Sequence, residues 1–385
     1  MLYLGPMPVP KIYKFAGAII LTLAFGLSIA YTQLSRRHKA IVKTTFLHKA
    51  GLVDNNWELG RQGESYSMIS PVFWVDGIYK SMEGPKASNY VRLTENAGIV
   101  FLTSFSVRAM DAQTGKPVSN DFICHTNIDF NDARYYNYFG LEDRIGKQYP
   151  RMTSLSHGQE NFAFPYGYGV PMPANDWLFV TTQTLNHNRP AIDLKVRHRV
   201  DLRYTANKLR PLMSRTAFVR LPYDKRDPFK EPLDPATNQC IPVETKNHSY
   251  DDGKGNMLSG HWVIPPGRKT YRSDVSDQLQ IADSLRLHAA AIHVHPFAEW
   301  IELRDKTHGA TVFRSAIENH PNRTGLKRVA AFSSEDGVWL YADRQYEIVM
   351  GTFNTTGVDQ DMMGSMFLFF YDAELDARLR QTASR

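Results

Sequence analysis

Along most of this chain the apolar residues come in short runs, cut by polar turns that carry Gly, Pro, Asn or Asp. No helical period is sustained beyond the N-terminus. Tyr90–Leu93, Ile99–Arg108, Phe122–Phe130, Trp177–Thr184 and Val196–Tyr204 are rich in β-branched and aromatic residues and read as strands. Ile99–Arg108 alternates in its second half, as a half-buried strand does. A second group of strands is predicted at His261–Ile264, Ala289–Val294, Trp300–Arg304, Val338–Tyr341, Tyr346–Phe353 and Met366–Tyr371. Between the groups, Pro222–Asn256 is rich in Pro, Asp, Asn and Lys and has no period. The pattern predicts an all-β protein of two β-sandwich domains in tandem, at 71–222 and 257–378. The stretch 223–256 is then a linker or long loop, 379–385 a tail, and 36–70 a helical or irregular connector.

The N-terminus differs in texture. Phe15–Tyr31 carries no charge and follows Lys11 and Lys14. Residues 1–35 are therefore read as a membrane anchor or a signal segment. Ser28-Ile29-Ala30 resembles a cleavage site, whereas Arg36, Arg37, Lys39 and Lys43 stand on the side that must cross. The anchor is the favoured reading, with the main body outside the cytoplasm on the periplasmic or extracellular side; secretion after cleavage is the alternative. The net charge of +6 is spread among acids rather than striped, which argues against nucleic acid as a partner. Cys124 and Cys240 are the only cysteines, so a thiolate zinc cluster or a redox CxxC is excluded.

The densest chemistry lies in Leu287–Trp300, LHAAAIHVHPFAEW. On a strand, His293 and His295 project to the same face. Two rigidly held imidazoles are two nitrogen donors for one soft or borderline metal. The plainer alternative is that His295 faces solvent and His293 packs in a core. His125, His187 and Met363 stand at or beside other predicted strands. A thioether suits copper, above all cuprous copper.

Four stretches together resemble the ascorbate-dependent type II copper monooxygenases, the group of peptidylglycine α-hydroxylating monooxygenase and dopamine β-monooxygenase. They are WVIPPGRK (Trp262–Lys269), the His293-Val294-His295 pair, NTTGVDQDMMGSMFLFFY (Asn354–Tyr371), and FPYGYGVPMPANDWLFVTTQTLNH (Phe164–His187). The resemblance spans about Phe122 to Tyr371. It implies two jelly-roll-type sandwiches facing each other across a solvent-filled cleft, with one or two copper ions per chain. Copper on His293, His295 and Met363 would be catalytic. A second copper, held in part by His125 and His187, would pass electrons from ascorbate or another reductant. The reaction implied is hydroxylation of a C–H bond of a small organic substrate by dioxygen.

This chain departs from the family at several positions. Where the family has two adjacent histidines, it has Cys124-His125. Cys124 is open to three readings: a ligand, a partner of Cys240, or a buried thiol. His157 is a candidate substitute that nothing in the resemblance places. Ala291, Ser365 and Phe367 stand where peptide-hydroxylating members hold a carboxylate, which points to a less charged substrate. His288 is expected on the opposite face as a supporting residue. His198, His248, His261, His308 and His320 are expected to be exposed. The rival functions are a non-catalytic extracytoplasmic copper-binding or electron-transfer protein, and an adhesion sandwich with incidental histidines.

Overall fold

The structure is a computed structural model, and it describes residues 11–222, 249–251 and 257–382. Most of the expected linker, with Cys240 and His248, lies outside the described residues. The chain is mostly β with several sheets, as the pattern predicts.

In the first half, a sheet built around Ile99–Asp111 and Leu194–Thr205 faces a four-stranded sheet. That second layer consists of Lys86–Arg92, Trp177–Thr184, Ile123–Phe130 and Arg151–Leu155. Val100, Leu102, Phe105, Ile128, Leu178, Val180 and Leu202 fill the space between. The hairpin Glu58–Gln62 and Ser65–Ile69 joins the larger sheet from within the stretch expected to be a connector. The rest of that stretch holds a helix, Arg36–Lys49, capped by Ser35. This helix docks through buried Ala40 and Leu47, and Lys43 reaches Asp76 and Tyr79.

The second half repeats the two-layer plan. Gln360–Tyr371 and Leu285–Val294 pair antiparallel in the central layer. Tyr346–Asn354 and Ala298–Asp305 lie at the centre of a five-stranded outer layer. Its edge strand, Gly267–Asp274, is mostly exposed and charged, as an edge must be to resist pairing with other chains. That polarity hid the strand from the pattern.

The two halves share one continuous sheet. Arg210–Phe218 closes the first half and pairs antiparallel with Gln360–Tyr371 in the second. The central layer is buried on both faces, and this explains its near-unbroken apolar run. Ala290, Ile292, Val294, Met362, Met366, Leu368 and Phe370 belong to the second core. Ala289, Ala291, Phe367 and Phe369 belong to the first. Phe369 packs on Phe162 and Phe164 at ring distances of 5.4 and 4.7 Å. The facing surfaces are therefore packed here rather than separated by a solvent-filled cleft; Ala289 and Ala291 are small enough to permit the close approach.

Lys11–Thr32 forms a helix with Leu21, Leu23, Phe25, Leu27 and Ile29 exposed. Among the described residues no helix is long and apolar enough to cross a membrane. Of the uncharged run Phe15–Tyr31, the side chains of residues 15–18, 20 and 24 lie outside the described set.

His198 was expected to be exposed and is fully buried, edge-on to Phe73, with Nδ1 2.6 Å from Thr182 Oγ1. Burial lowers its pKa to about 4, against about 6.5 unfolded. Between those values the unfolded chain binds a proton that the native state refuses. The stabilisation is complete above pH 6.5 and is lost as the pH falls toward 4, at up to about 1.4 kcal/mol per unit. Urea unfolding of the metal-free protein should show a smaller loss between pH 7 and 5 in His198→Gln than in wild type. Equal losses would place the acid sensitivity elsewhere.

Candidate metal centre

The centre is built where the central layer of the second half meets the first. Directly opposite residues on paired strands share a face. His261 stands opposite Met363, and His293 opposite Ser365. Trp262 stands opposite Met362, and both belong to the second core. By the two-residue period, Asp361 and Met363 lie on the face that carries His293, while Met362 points the other way. His295 follows directly, its ring 5.6 Å from that of His293. A turn at Pro296 and Phe297 ends the segment. Phe297 has φ 76° and is held there by its N–H donating to Asn319 Oδ1. Such a backbone outlier beside a cluster of donors is typical of functional sites.

The first half contributes three more imidazoles. His125, on Ile123–Phe130, has its ring 6.3 Å from His293. His187 follows the strand Trp177–Thr184. His157 sits in the tight turn between Arg151–Leu155 and Asn161–Ala163. Gly158 holds that turn with φ 87°, and Gln159 Oε1 accepts the Ile292 N–H at 2.6 Å across the junction. The residues expected to serve two separate copper sites thus lie together: His125 and His295 flank His293, and His187 shares with Asp361 the lining of one cavity.

Among the described residues, one set of metal-ligating atoms closes to within 4.8 Å: His261, His295 and Asp361. Asp361 Oδ2 lies 2.8 Å from His295 Nδ1 and 3.4 Å from His261 Nε2. Burial would raise the pKa of Asp361, but the His295 and His261 imidazoles outweigh it and hold the carboxylate well below its usual range. This group could hold a metal ion.

The sequence reading placed His261 in solvent; it is 2 % exposed and part of the set. Its one legible signal was its position at the head of the apolar strand His261–Ile264. Asp361 was missed although it lies two residues before Met363. His288 stacks on Tyr168 at 4.2 Å, and its Nδ1 contacts Ser334 O at 3.0 Å. His308 is exposed as expected, and His320 is half-buried beside Arg323. Cys124 is buried on the same strand as His125. Ala291, Ser365 and Phe367 are buried and line no described pocket.

Burial lowers the pKa values of His157 and His187 to about 4, and that of His293 well below 6.5. For His293 the neighbouring His295 and His125 add to the effect. All three are neutral at pH 7, the state in which imidazole binds metal.

A cavity of about 190 Å³ is lined by Ile78, Lys80, His187, Pro296, Gln360 and Asp361 among others. A hollow of about 650 Å³ shares Phe297 and Thr324 with it. Another cavity, about 670 Å³, surrounds Tyr168, Arg210, His288 and Trp339 and shares no lining residue with the first. Beside the mouth, Glu83 is 1 % exposed and accepts the Lys80 N–H at 2.8 Å. Burial raises its pKa, and the charge of Asp361 acts in the same direction.

No family model matches the chain, and no curated protein matches it in sequence. Among solved structures it is similar to the glycosylasparaginase PNGase F from Flavobacterium meningosepticum, at 10 % identity over 80 % of this chain and 96 % of that one, with a TM-score of 0.35. A structure of peptide-N(4)-(N-acetyl-β-D-glucosaminyl) asparagine amidase gives 9 %, 78 %, 95 % and 0.32. A cowpea mosaic virus top-component particle protein gives 10 %, 75 %, 89 % and 0.30.

Proposed function

We propose that this chain is a copper-dependent monooxygenase of two jelly-roll-type sandwiches, hydroxylating a small organic substrate. The observation that carries this reading is the convergence of His125, His187, His293 and His295 from both halves, with Met363 on the same face. Imidazoles and a thioether are the donors that suit copper, and cuprous copper in particular. Copper bound there would let dioxygen put one atom into a C–H bond and release the other as water, drawing two protons and two electrons from an external reductant such as ascorbate. The chain's own part is to hold these donors on rigid strands, keep Asp361 ionised, and exclude bulk water. The cavity of about 190 Å³ has room for a small substrate, with the adjoining hollow for a larger remainder. Anchoring to a membrane through Lys11–Thr32, with the body outside the cytoplasm, belongs to the same proposal. The uncovered side chains from Leu21 to Ile29 support it.

A second reading has a specific basis. Two histidines and a carboxylate, as in His261, His295 and Asp361, are the donor set of non-haem iron(II) oxygenases. Full-length protein stripped with chelator and reloaded with copper(I) or iron(II) separates the two. Copper should restore reductant-driven oxygen uptake. Met363→Leu should lose copper(I), while Met362→Leu, a near volume-conserving change in the core, should retain it. Uptake restored by iron and indifferent to Met363 would establish the iron reading. Copper bound tightly without uptake would leave an electron carrier.

A further inference from the structure

The cavity of about 670 Å³ is lined from both halves of the chain, and its size is that of a small-molecule site. Its walls hold five cationic side chains. Two are paired: Arg144 with Asp372 and Glu374, and Lys147 with Asp143 at 3.7 Å. The other three, Arg210, Arg215 and Arg286, have no carboxylate in ion-pair reach among the described residues. Against them stands one unpaired acid of the lining, the exposed Asp283. Each of the three is nonetheless held in place. Arg210 donates Nη1 to Tyr168 Oη at 2.6 Å and lies over the Tyr168 and Tyr371 rings at 5.1 and 5.7 Å. Arg286 lies over Trp339, its partner on the neighbouring strand, at 4.5 Å. Arg215 donates Nη1 to the carbonyls of Leu279 and Gln280. A guanidinium carries a fork of five N–H donors, so each keeps donors to spare. Burial lowers the pKa of His288, and the charges of Arg286 and Arg210 act in the same direction. Both guanidinium groups therefore bear on one place. Burial also lowers the pKa of Arg215, with Asp372 acting against it.

We propose that this cavity binds a small organic anion, its carboxylate or phosphate on Arg210 and Arg286 and its apolar body against Trp339. The fork of a guanidinium matches the oxygens of a carboxylate or phosphate, and both ligand types take paired hydrogen bonds from it. The aromatic rings fix the two guanidinium planes before a ligand arrives, so less freedom is lost on binding. Trp339 is 45 % exposed, and Leu285 and Met213 add apolar surface to the same wall. Arg215, partly withdrawn from water, gains a counter-charge when the anion enters. The site needs no metal, so it stands or falls apart from the monooxygenase reading.

The test titrates the full-length chain calorimetrically with benzoate, phenyl phosphate, inorganic phosphate and neutral benzamide. Benzoate and phenyl phosphate should bind at one site per chain, inorganic phosphate more weakly than phenyl phosphate, and benzamide not at all. Arg210→Gln and Arg286→Gln should each weaken phenyl phosphate by roughly 10–100-fold, the loss of a charge-assisted hydrogen bond. Arg286→Lys, which keeps the charge without the fork, should lose less. Circular dichroism of each variant checks that the sheets remain. His295→Ala should bind both anions as wild type does; a loss there would put the probes on the metal centre and overturn the site. So would the absence of binding by both anions, unchanged affinity in a folded variant lacking both arginines, or benzamide binding as tightly as benzoate. Inorganic phosphate binding as tightly as phenyl phosphate would overturn the organic ligand class.

Discussion

Replacing His295 by alanine should abolish reductant-driven oxygen uptake and strip the His261, His295 and Asp361 set of its ion, while the β-sheet circular dichroism stays unchanged. The residue ends a strand rather than filling a core, so its loss leaves the packing of Ala290, Ile292 and Val294 in place. Its effect is expected to be the largest of any single side chain because two functions fall on it. It donates Nδ1 to the set and it is the chief influence holding Asp361 ionised against burial. Asp361→Asn keeps the shape and removes the charge. It should weaken binding by roughly the 10–100-fold that loss of a supporting partner costs, or by more if the carboxylate is itself a ligand. Isothermal titration with the metal ion alone, beside an oxygen electrode, reads both variants. Unchanged affinity in His295→Ala would refute the site. A supporting role for Asp361 predicts a 10–100-fold loss, and a ligand role a greater one.

Gly158→Ala should disturb the junction from the first-half side. An alanine there meets a backbone with φ 87°, and its Cβ would fall 2.8 Å from Leu326 Cβ and 3.3 Å from Val329 Cγ2. Neither contact is with the loose end of a long side chain, so the turn must shift. Strain at a left-handed position and overpacking each cost about 1–3 kcal/mol. The expected outcome is a fall in the urea midpoint. Leu326→Ala in the same chain should not restore it, because alanine keeps the Cβ that the new methyl group meets. A Gly158→Ala protein with wild-type midpoint would show that the turn is not locked as described.

Much of the fold was legible because its strands follow the period of two and are punctuated by turn residues. Ile99–Asp111, Trp177–Thr184, Leu194–Thr205 and Tyr346–Asn354 were all foreseen, with ends off by a few residues. Edge strands such as Gly267–Asp274 were not, because an edge needs charge more than apolar alternation. Asn131 and Asp132, residue types that also form turns, open a short helix, with Asn131 capping the Arg134 N–H and Gly140 ending it in the left-handed region. The same residue types serve both structures, and only the packing of Tyr135, Tyr136 and Phe139 into the core decides between them.

For the candidate site, the sequence by itself placed His293 and His295 on one face of a strand, which follows from a two-residue period, while Met363 was assigned as a ligand through the family resemblance. It also marked His125 and His187 as candidates. Tertiary structure alone decided that these groups lie together and that His261 and Asp361 join them. Each of those depends on which strands pair and how two sheets stack. Partners such as Asp361 and His261 lie 100 residues apart, and Gln159 reaches Ile292 across 133. Local propensity acts over a few residues and carries no information at that range. It is the burial of Ala289, Ala291, Phe367 and Phe369 against the first half that brings the donors together.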